Sequence, residues 1–457
     1  MSKKITRTIA IFILAASFFA LVSCAGTNGT NDDSFNLDFN GNDTDEITFD
    51  GMEFILRDHD HGGTYDIIPV YGENRLDDML LERYKQMEND YNCKITLLEG
   101  DSDGLIVNFA SGLDKYADIM YDKINRAYGA IQMGAYLDIY SIDGIDLSSG
   151  QFGSQTLLDS MTWNGELYIM YPPTWANHFA HTMLYNPRLI STIGQTDPHE
   201  YYEQGQWTWD TFEKMAADFS SPAGTNYSYR TTIMALSNVV TDAALYSNGV
   251  TWTKVGPDGH RVIAYDCPET YETLEWLRKM YAAGYLADDY NWEPNAIAFI
   301  NGETLFYANY SWMGISKDGG YIPTNMDEEF RWISFPQGPS GSEPTGVLTF
   351  TNPFFLVTVE TDTAVIGDFC TLLFAQLGED ENDWWDSFNR ENFFEEDSFN
   401  YYKRMLESLT FDYSVFINKT SVIDSPFMQV IKGNKSTAEV LDSVRDITQN
   451  NLDSYFN

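Results

Sequence analysis

Basic residues are scarce in this sequence. Its 457 residues include 27 Lys and Arg against 68 Asp and Glu, and the formal net charge is −41. Binding to nucleic acid relies on cationic side chains that contact phosphates, so this composition excludes a nucleic-acid partner. The same charge favours solubility and repels an anionic lipid surface. We therefore expect a monomeric chain that stands off any membrane to which it is attached.

Cysteine is also rare, with four residues in all and no Cys-x-x-Cys pair. Cys93, Cys267 and Cys370 lie far apart in the sequence, and we expect small, mostly buried apolar side chains, with one disulfide among them as the alternative. The fourth residue, Cys24, stands at the end of an apolar run and needs a separate explanation.

That run belongs to an N-terminal segment with two parts. Three cations lie within residues 1–8, and residues 9–22 are then apolar apart from one serine. A bilayer span needs about 20 residues, so the segment is too short to cross a membrane comfortably. A cationic start followed by a short apolar core is typical of a secretory signal peptide, which we place at residues 1–23.

The end of this signal peptide carries a second feature. Leu21-Val22-Ser23-Cys24 resembles the bacterial lipobox, where a lipoprotein signal peptide is cut before its cysteine. The resemblance implies that Cys24 carries two acyl chains, which at about 0.8 kcal/mol per buried CH2 hold a protein firmly at a bilayer. It also implies a location at the extracellular face of the cytoplasmic membrane, with a Gram-positive type of envelope favoured. The alternative is a plain secretory signal with an incidental cysteine.

Residues 24–46 are rich in Gly, Asn, Asp and Thr, which is typical of a flexible tether. Residues 36–47 resemble a calcium-binding loop, but Asn36 stands where the first Asp belongs and Ile47 where the closing Glu belongs. Two histidine pairs, 59 with 61 and 178 with 181, would bind a metal only if the pairs met in space. We expect no metal site and no cofactor.

Motifs of nucleotide binding and of common hydrolases are absent. The chain has no Gly-x-Ser-x-Gly, no Walker A motif, no His-Glu-x-x-His and no Gly-x-Gly-x-x-Gly after a predicted strand. A glycoside hydrolase needs two carboxylates about 5–10 Å apart across a cleft. A chain with 68 acids always offers some such pair, so the count decides nothing. We expect a protein that is not an enzyme, with a surface glycoside hydrolase as the less favoured alternative.

Strand and helix patterns alternate from about residue 47 onward. Residues 76–91 have the apolar spacing of one helix face, Thr208 is placed to cap a second helix, and Pro268 opens a third. A further helix is expected at 363–378, and residues 382–457 read as mostly helical. Strand patterns occur at 52–58, 93–100, 116–122, 303–314, 330–337 and 352–359. This alternation predicts an α/β fold with a parallel sheet.

Seven segments in order resemble the extracellular solute-binding proteins of ABC importers, family 1, which mostly bind carbohydrates. The most specific segment, residues 161–190, is similar to the family's Gly-Lys-hydrophobic-Tyr-x-hydrophobic-Pro followed by Leu-x-Tyr-Asn-Lys, with Glu166 and Arg188 in place of the usual lysines. The other six segments are 63–100, 116–139, 207–220, 267–286, 299–314 and 332–341. The resemblance covers most of residues 50–378.

The resemblance implies a two-lobed periplasmic-binding-protein fold of type II, with the ligand between the lobes. Residues 47–170 and 336–378 would form lobe 1, and residues 171–335 and 379–457 would form lobe 2. The implied function is that of a substrate-binding lipoprotein that captures a sugar or oligosaccharide and delivers it to ABC permease subunits in the membrane. A binding protein for peptides or another solute, and a surface adhesin, remain alternatives.

A sugar needs hydrogen-bond partners for its hydroxyls and an aromatic surface for its C–H faces, and aromatic residues make up 15% of the chain. We expect such groups where strands end. Trp312 matches a family tryptophan that often stacks on sugars, and it is the first candidate. The others are Asp58, His59, Asp122, Asn125, Arg126, Trp175, Asn177 and Tyr310, followed by Asn309, Asn352 and Phe355. A core role for Trp312 and solvated loop positions or surface ion pairs for the polar residues are the simpler alternatives.

Overall fold

The computed structural model describes residues 47–59, 67–73, 75–173, 180–220, 232–288, 292–315, 320–341, 346–349, 351–358, 363–375, 390 and 393–456. All of these residues belong to one compact unit, Phe39–Asn457. The predicted signal peptide, Cys24, the tether, Trp175 and Asn177 lie outside the described residues. Within the described residues, no helix combines the length and the apolar character that a membrane span requires.

The first part of the fold alternates strands with helices. Its elements are Glu53–Asp58 (β1), Arg75–Asp90 (α1), Lys94–Glu99 (β2), Ser102–Ser111 (α2), Ile119–Tyr121 (β3), Ile124–Gln132 (α3) and Gln155–Met161 (α4). Single turns of 3-10 helix at Ile139–Ser141 and Leu147–Ser149 lie between α3 and α4. The strands predicted at 52–58, 93–100 and 116–122 and the helix predicted over 76–91 are confirmed.

The middle part has more elements, and most of its strands are short. They are His181–Tyr185 (β4), Pro187–Thr192 (α5), Pro198–Glu203 (α6), Trp209–Phe219 (α7), Met234–Leu236 (β5), Asn238–Ser247 (α8), Thr253–Val255 (β6), Arg261–Ile263 (β7), Pro268–Ala282 (α9), Leu286–Asp288 (β8), Trp292–Ile300 (α10), Phe306–Tyr310 (β9) and Tyr321–Asn325 (α11). A 3-10 turn, Ser311–Met313, follows β9.

The last part is mostly helical, as predicted. Its elements are Arg331–Ile333 (β10), Val347–Leu348 (β11), Phe354–Leu356 (β12), Thr363–Leu373 (α12), Glu396–Glu407 (α13), Thr410–Phe411 (β13), Lys419–Val422 (α14), Asp424–Ile431 (α15) and Thr437–Phe456 (α16). A 3-10 turn, Tyr413–Ile417, links β13 to α14. The two-residue strand β13 was not predicted.

Helix boundaries follow local chemistry. Thr208 occupies the N-cap of α7, although its side chain makes no capping hydrogen bond, and Phe212 on that helix is fully buried. Pro268 is the first residue of α9, where its missing N–H and fixed φ cost nothing. Leu274 is fully buried on the inner face of α9, and Gly284 follows the helix with φ +76, a conformation that favours glycine.

The first sheet contains four strands in the order β12-β3-β1-β2. Strand β1 pairs in parallel with both β2 and β3, with Leu56 opposite Ile119 in the second pair. Strand β12 joins from the far end of the sequence and pairs antiparallel with β3. Leu56, Ile119 and Leu356 are fully buried, so the sheet forms part of the apolar core. The predicted parallel sheet is therefore correct for β2, β1 and β3.

The second sheet has the order β10-β4-β9, and both of its pairs are antiparallel. His181 lies opposite Tyr310, and Arg331 lies opposite Tyr185. The expectation of a parallel sheet is wrong here, because apolar patterning reports the burial of each strand and not the direction of its neighbour.

Two chain segments lie side by side between the sheets. Met170 bridges to Phe354, and Ala180 bridges to Leu348, both in the antiparallel sense. The Thr351 hydroxyl also donates to the Tyr171 hydroxyl oxygen at 2.9 Å. The chain after the predicted lobe boundary at residues 170 and 171 lies partly outside the described residues, and the lobe boundaries remain a prediction.

A group of aromatic side chains, which we call the C-terminal aromatic cluster, joins α16 to the first part of the fold. It consists of Tyr128, Trp163, Phe416, Tyr455 and Phe456. The Phe456 ring centroid lies 4.8 Å from that of Tyr128 and 5.6 Å from that of Trp163. The Tyr128 hydroxyl and the Gln132 amide both donate to the Tyr455 carbonyl, at 2.8 and 3.1 Å. These contacts hold the end of α16 against α3.

The three described cysteines are free thiols. Cys93 and Cys370 are buried, as expected of small apolar side chains, and Cys267 is partly buried. None of the three forms the disulfide that the sequence left as an alternative.

Candidate functional site

A cavity of about 470 Å³ lies where the two sheets and the C-terminal part of the chain meet. Its volume is within the range of small-molecule sites, about 300–1,000 Å³. The lining residues are Lys123, Asn125, Asn238, Asp242, Tyr310, Thr349, Ser414, Val415, Asn418, Lys419 and Thr420. All of these residues except Val415 have a polar or charged side chain.

Strand ends and helix starts supply one half of the wall. Lys123 and Asn125 follow β3 at the start of α3, and Tyr310 is the last residue of β9. Asn238 and Asp242 are one turn apart on α8, so both face the same side of that helix. The cavity therefore takes residues from the ends of both sheets.

The C-terminal part supplies the other half. The 3-10 turn Tyr413–Ile417 ends at Asn418, whose φ of +55 is in the left-handed region that asparagine tolerates better than most residues. This residue redirects the chain into α14, which begins at Lys419. Ser414, Asn418 and Lys419 consequently all reach the cavity.

Lys419 is buried between two carboxylates, and we call Lys419, Asp242 and Asp424 the Lys419 triad. Its Nζ lies 3.0 Å from Asp242 Oδ2 and 2.5 Å from Asp424 Oδ1. The Lys419 and Asp242 side chains are only 8% and 4% exposed. The second oxygen of Asp424 accepts a hydrogen bond from the Asn238 amide at 3.2 Å.

Burial and charge act on the triad in opposite directions. Burial alone would lower the pKa of Lys419, but the carboxylates of Asp242 and Asp424 raise it above its usual value, so the ammonium stays charged. Burial raises the pKa of Asp242 to about 7, and the neighbouring ammonium opposes this rise. Lys419 and Asp242 are therefore both charged at mildly alkaline pH, in surroundings from which water is largely excluded.

Aromatic rings surround the triad. Lys419 Nζ lies 5.2 Å from the centroid of the Trp252 ring, a distance that allows a cation–π contact. The His181 ring packs edge-on against Tyr310 at 4.9 Å and against Tyr246 at 5.4 Å. Burial, together with the positive charge of Lys419, lowers the pKa of His181 to about 3, so its imidazole is neutral.

Of the residues predicted from the sequence, Asn125 and Tyr310 line the cavity. Trp312 lies two residues beyond Tyr310 in the 3-10 turn, where it is partly buried and packs against the core. Asn309 is buried, and its amide donates to the Tyr307 hydroxyl at 2.6 Å. Neither Trp312 nor Asn309 is among the residues that line the cavity, and their roles in binding remain predictions.

The predicted residues at the ends of β1 and β3 form a separate buried group. Asp122 is fully buried and accepts hydrogen bonds from the Ser102 amide at 2.6 Å, the Ser102 hydroxyl at 2.5 Å and the Lys123 amide at 2.7 Å. Arg126 Nη1 lies 3.3 Å from Asp122 Oδ1 and 3.1 Å from Asp101 Oδ2. This carboxylate therefore organises the start of α2 and α3 from within.

Asp58 and His59 belong to the same group. Asp58 is fully buried and accepts a hydrogen bond from the Ile67 amide at 3.0 Å. His59 Nδ1 lies 3.2 Å from the Tyr121 carbonyl and 3.5 Å from Asp58 Oδ1. Burial lowers the pKa of His59, and the charge of Asp122 opposes that effect. The structure brings these two residues close to Asp122, outside the cavity wall.

The remaining candidates divide into two groups. Phe355 is fully buried in β12, where its ring stacks on Tyr136 at 4.7 Å, and Asn352 precedes that strand. Trp175 and Asn177 fall outside the part of the chain that the structure describes. Groups of three or more His, Cys, Asp or Glu side chains that could hold a metal ion are absent from the described residues.

Most of the cavity wall was not predicted. The prediction missed the Asp242–Lys419 pair and the lining residues Lys123, Asn238, Thr349, Ser414, Val415, Asn418 and Thr420. A signal for the pair was present in the sequence. Asp242 is the only charged residue between Arg230 and Lys254, and Lys419 is the only one between Asp412 and Asp424. A lone charge in an uncharged, largely apolar window predicts either a buried pair or a site.

Comparisons with known proteins show the family and the fold. The sequence model of the family described as bacterial extracellular solute-binding protein matches residues 80–381, well over half of the chain. Among curated proteins, no sequence matches significantly.

Solved structures with a similar fold are sugar-binding proteins with low sequence identity. A cyclic α-maltosyl-1,6-maltose binding protein from Arthrobacter globiformis has a TM-score of 0.60 and 13% identity, over 88% of this chain and 100% of that chain. A cyclo/maltodextrin-binding protein complexed with maltotetraose has a TM-score of 0.61 and 12% identity, over 87% and 96%. The GacH receptor of Streptomyces glaucescens, solved unliganded and with acarbose, has a TM-score of 0.55 and 11% identity, over 89% and 99%. The expected α/β, two-lobed binding-protein fold is confirmed.

Proposed function

The chain belongs to the family of bacterial extracellular solute-binding proteins, and on that premise we propose that it captures a sugar or oligosaccharide in the cavity described above and delivers it to an ABC permease. The observation that carries the proposal is the chemistry of the cavity wall. Amides from Asn125, Asn238 and Asn418 and hydroxyls from Thr349, Ser414 and Thr420 surround it. Such groups match a ligand that is itself covered with hydroxyls.

Tyr310 supplies the aromatic surface in this wall. Its ring packs edge-on against His181, which restricts the side chain before a ligand arrives. A fixed aromatic ring beside hydrogen-bonding groups suits the C–H face of a sugar ring. Three solved structures of similar fold are a cyclic α-maltosyl-1,6-maltose binding protein, a cyclo/maltodextrin-binding protein with maltotetraose and a receptor solved with acarbose, which supports the same ligand class.

Binding between two lobes would let the permease distinguish the ligand-bound protein from the empty one. A ligand that contacts both lobes favours the closed form, because the open form offers only part of those contacts. Permease subunits would recognise that closed form. The predicted lipid on Cys24 would keep the protein, as a monomer, at the extracellular face of the membrane that holds the permease.

A thermal-shift screen tests the ligand class. A ligand at about 100 times its Kd stabilises the folded protein by about 2.7 kcal/mol, which raises the melting temperature measurably. We expect neutral mono- and oligosaccharides to raise it and peptides of similar size to leave it unchanged. A rise with peptides and not with sugars would contradict the proposal.

The same sugars test the absence of catalysis. Incubation of the protein with labelled oligosaccharides, followed by chromatography, should return the oligosaccharides intact. Release of shorter sugars would favour the glycoside-hydrolase alternative instead.

A further inference from the structure

We propose that Lys419, held between Asp242 and Asp424, makes the site specific for neutral sugars and excludes sugars that carry a carboxylate or phosphate. The inference deepens the proposed function and rests on it. A lysine in a binding cavity would ordinarily indicate an anionic ligand. The two carboxylates at 3.0 and 2.5 Å give this lysine a different role.

The hydrogen-bonding capacity of Lys419 leaves one donor for a ligand. An ammonium group has three N–H donors and no acceptor. Asp242 Oδ2 and Asp424 Oδ1 take two of these donors, and Lys419 lines the cavity. The third N–H is available to a neutral oxygen, such as a hydroxyl or the ring oxygen of a sugar.

Among the residues that the structure describes, the charges on the cavity wall and in the triad cancel. With both carboxylates ionised, the Lys419 triad has a net charge of −1, and Lys123 on the same cavity wall adds +1. An acidic sugar would lose part of its hydration on entering and would meet no net positive charge in return. Asp242 also lines the cavity, so it would repel an anion directly.

Stability alone is a poor explanation for this arrangement. Removing three charged groups from water costs more than their attraction commonly returns, and apolar side chains of similar volume would pack as well. The Asn238 amide, which also lines the cavity, holds Asp424 in position at 3.2 Å. Exclusion of a wrong ligand through a repulsive group is a recognised source of specificity.

The test changes the charge of the triad without changing its shape. Asp242→Asn/Asp424→Asn raises the charge of the Lys419 triad by two and keeps an oxygen at each position. Wild type and variant are titrated by calorimetry at about pH 8, one unit above the pKa of Asp242, so that this carboxylate is ionised. The probes are inorganic phosphate, the neutral sugars glucose, galactose and mannose, and the corresponding uronates.

Wild type should bind no phosphate and should prefer each neutral sugar to its uronate. The double variant should bind phosphate with an affinity at least about tenfold higher than wild type, and its preference for neutral sugars should fall by about the same factor. Asp424→Asn alone keeps the Asp242–Lys419 pair and should give a smaller change in the same direction. This single variant tests the inference if the double variant does not fold.

A matched control separates local charge from net charge. Arg445 also contacts two carboxylates, Asp266 at 2.6 Å and Asp442 at 2.9 Å, on the exposed surface. Asp266→Asn/Asp442→Asn changes the charge of the chain by the same amount away from the cavity. This control should bind phosphate no better than wild type.

Three results would overturn the inference: phosphate binding that does not rise in either triad variant, an equal rise in the control, or wild-type affinity for a uronate equal to that for its neutral partner. Failure of the proposed function gives a different pattern. In that case no sugar of any kind binds wild type, while the phosphate titrations still decide whether the triad excludes anions.

Discussion

Two ion triads, each of one basic residue and two aspartates, lie in very different surroundings. In each, one cation contacts two carboxylates within 3.0 Å, through Lys419 at the cavity and through Arg445 on the surface. The side chains of Lys419, Asp242 and Asp424 are 8%, 4% and 15% exposed, whereas those of Arg445, Asp266 and Asp442 are 42%, 29% and 71% exposed. Similar geometry therefore coexists with a large difference in solvation.

The comparison indicates that burial decides whether an ion pair affects stability and binding. Water and salt screen the Arg445 triad, so its charges interact weakly. The Lys419 triad is shielded from water, so each of its charges depends on the other two. Changing one member of the buried triad should affect both folding and binding, and changing one member of the surface triad should affect neither.

The largest expected effect is the loss of the buried cation. Lys419→Met leaves Asp242 and Asp424 buried without a counter-charge, and the free energy of unfolding should fall by about 3–5 kcal/mol. Arg445→Met removes the equivalent cation from the surface and should leave stability unchanged within error. Urea denaturation of both variants measures the difference, and equal losses would show that burial does not distinguish the two triads.

The next effect is a pH dependence that involves His181. Its pKa is about 3 in the folded protein, because it is buried beside Lys419, against about 6.5 in the unfolded chain. At pH values between these two pKa values, only the unfolded chain binds the proton. His181 therefore lowers the free energy of unfolding as the pH falls, by up to about 1.4 kcal/mol per pH unit.

His181→Leu isolates this contribution. Burial raises the pKa of Asp412 to about 7, which has the opposite slope in the same pH range. The informative quantity is therefore the difference between wild type and variant, measured by denaturation at several pH values from about 7 to about 4. Wild type should lose more stability on acidification than the variant, and parallel profiles would contradict the assignment.

A smaller effect is expected at Asp122, a buried carboxylate that lies outside the cavity wall. Asp122 has its hydrogen bonds satisfied by Ser102 and Lys123 within the first part of the fold, whereas Asp242 lines the cavity. Asp122→Asn should lower the free energy of unfolding by about 1–3 kcal/mol. It should leave the preference for neutral over acidic sugars as in wild type. A change in that preference as large as that of Asp242→Asn/Asp424→Asn would place Asp122 in the site as well.

The sequence predicted the secondary-structure elements better than it predicted which strands pair with each other. The strands at 52–58, 93–100 and 116–122 were predicted from apolar patterning and are present as β1, β2 and β3. The antiparallel second sheet was not predicted, because the register of His181 with Tyr310 depends on contacts between distant segments. Local patterns contain no information on such pairing.

The site was predicted only where it follows a strand. Asn125 and Tyr310 were predicted because each lies where a strand pattern ends, and both lie on the cavity wall, although their strands belong to different sheets. Lys419 was not found, because its position depends on the left-handed turn at Asn418 and on a carboxylate from α8. The family resemblance pointed to Trp312, whose side chain packs against the core in this structure.

The C-terminal aromatic cluster has a consequence for the order in which the protein is made. The hydrogen bond from Tyr128 to the Tyr455 carbonyl spans 327 positions of the sequence, and the turn that supplies Ser414 and Val415 to the cavity packs through Phe416 on the same cluster. A ribosome that has reached residue 400 has already released α3 and both sheets, yet half of the cavity wall does not exist. The cavity is consequently completed only after residues 414–456 have been synthesised, and folding must wait for contacts of very long sequence separation.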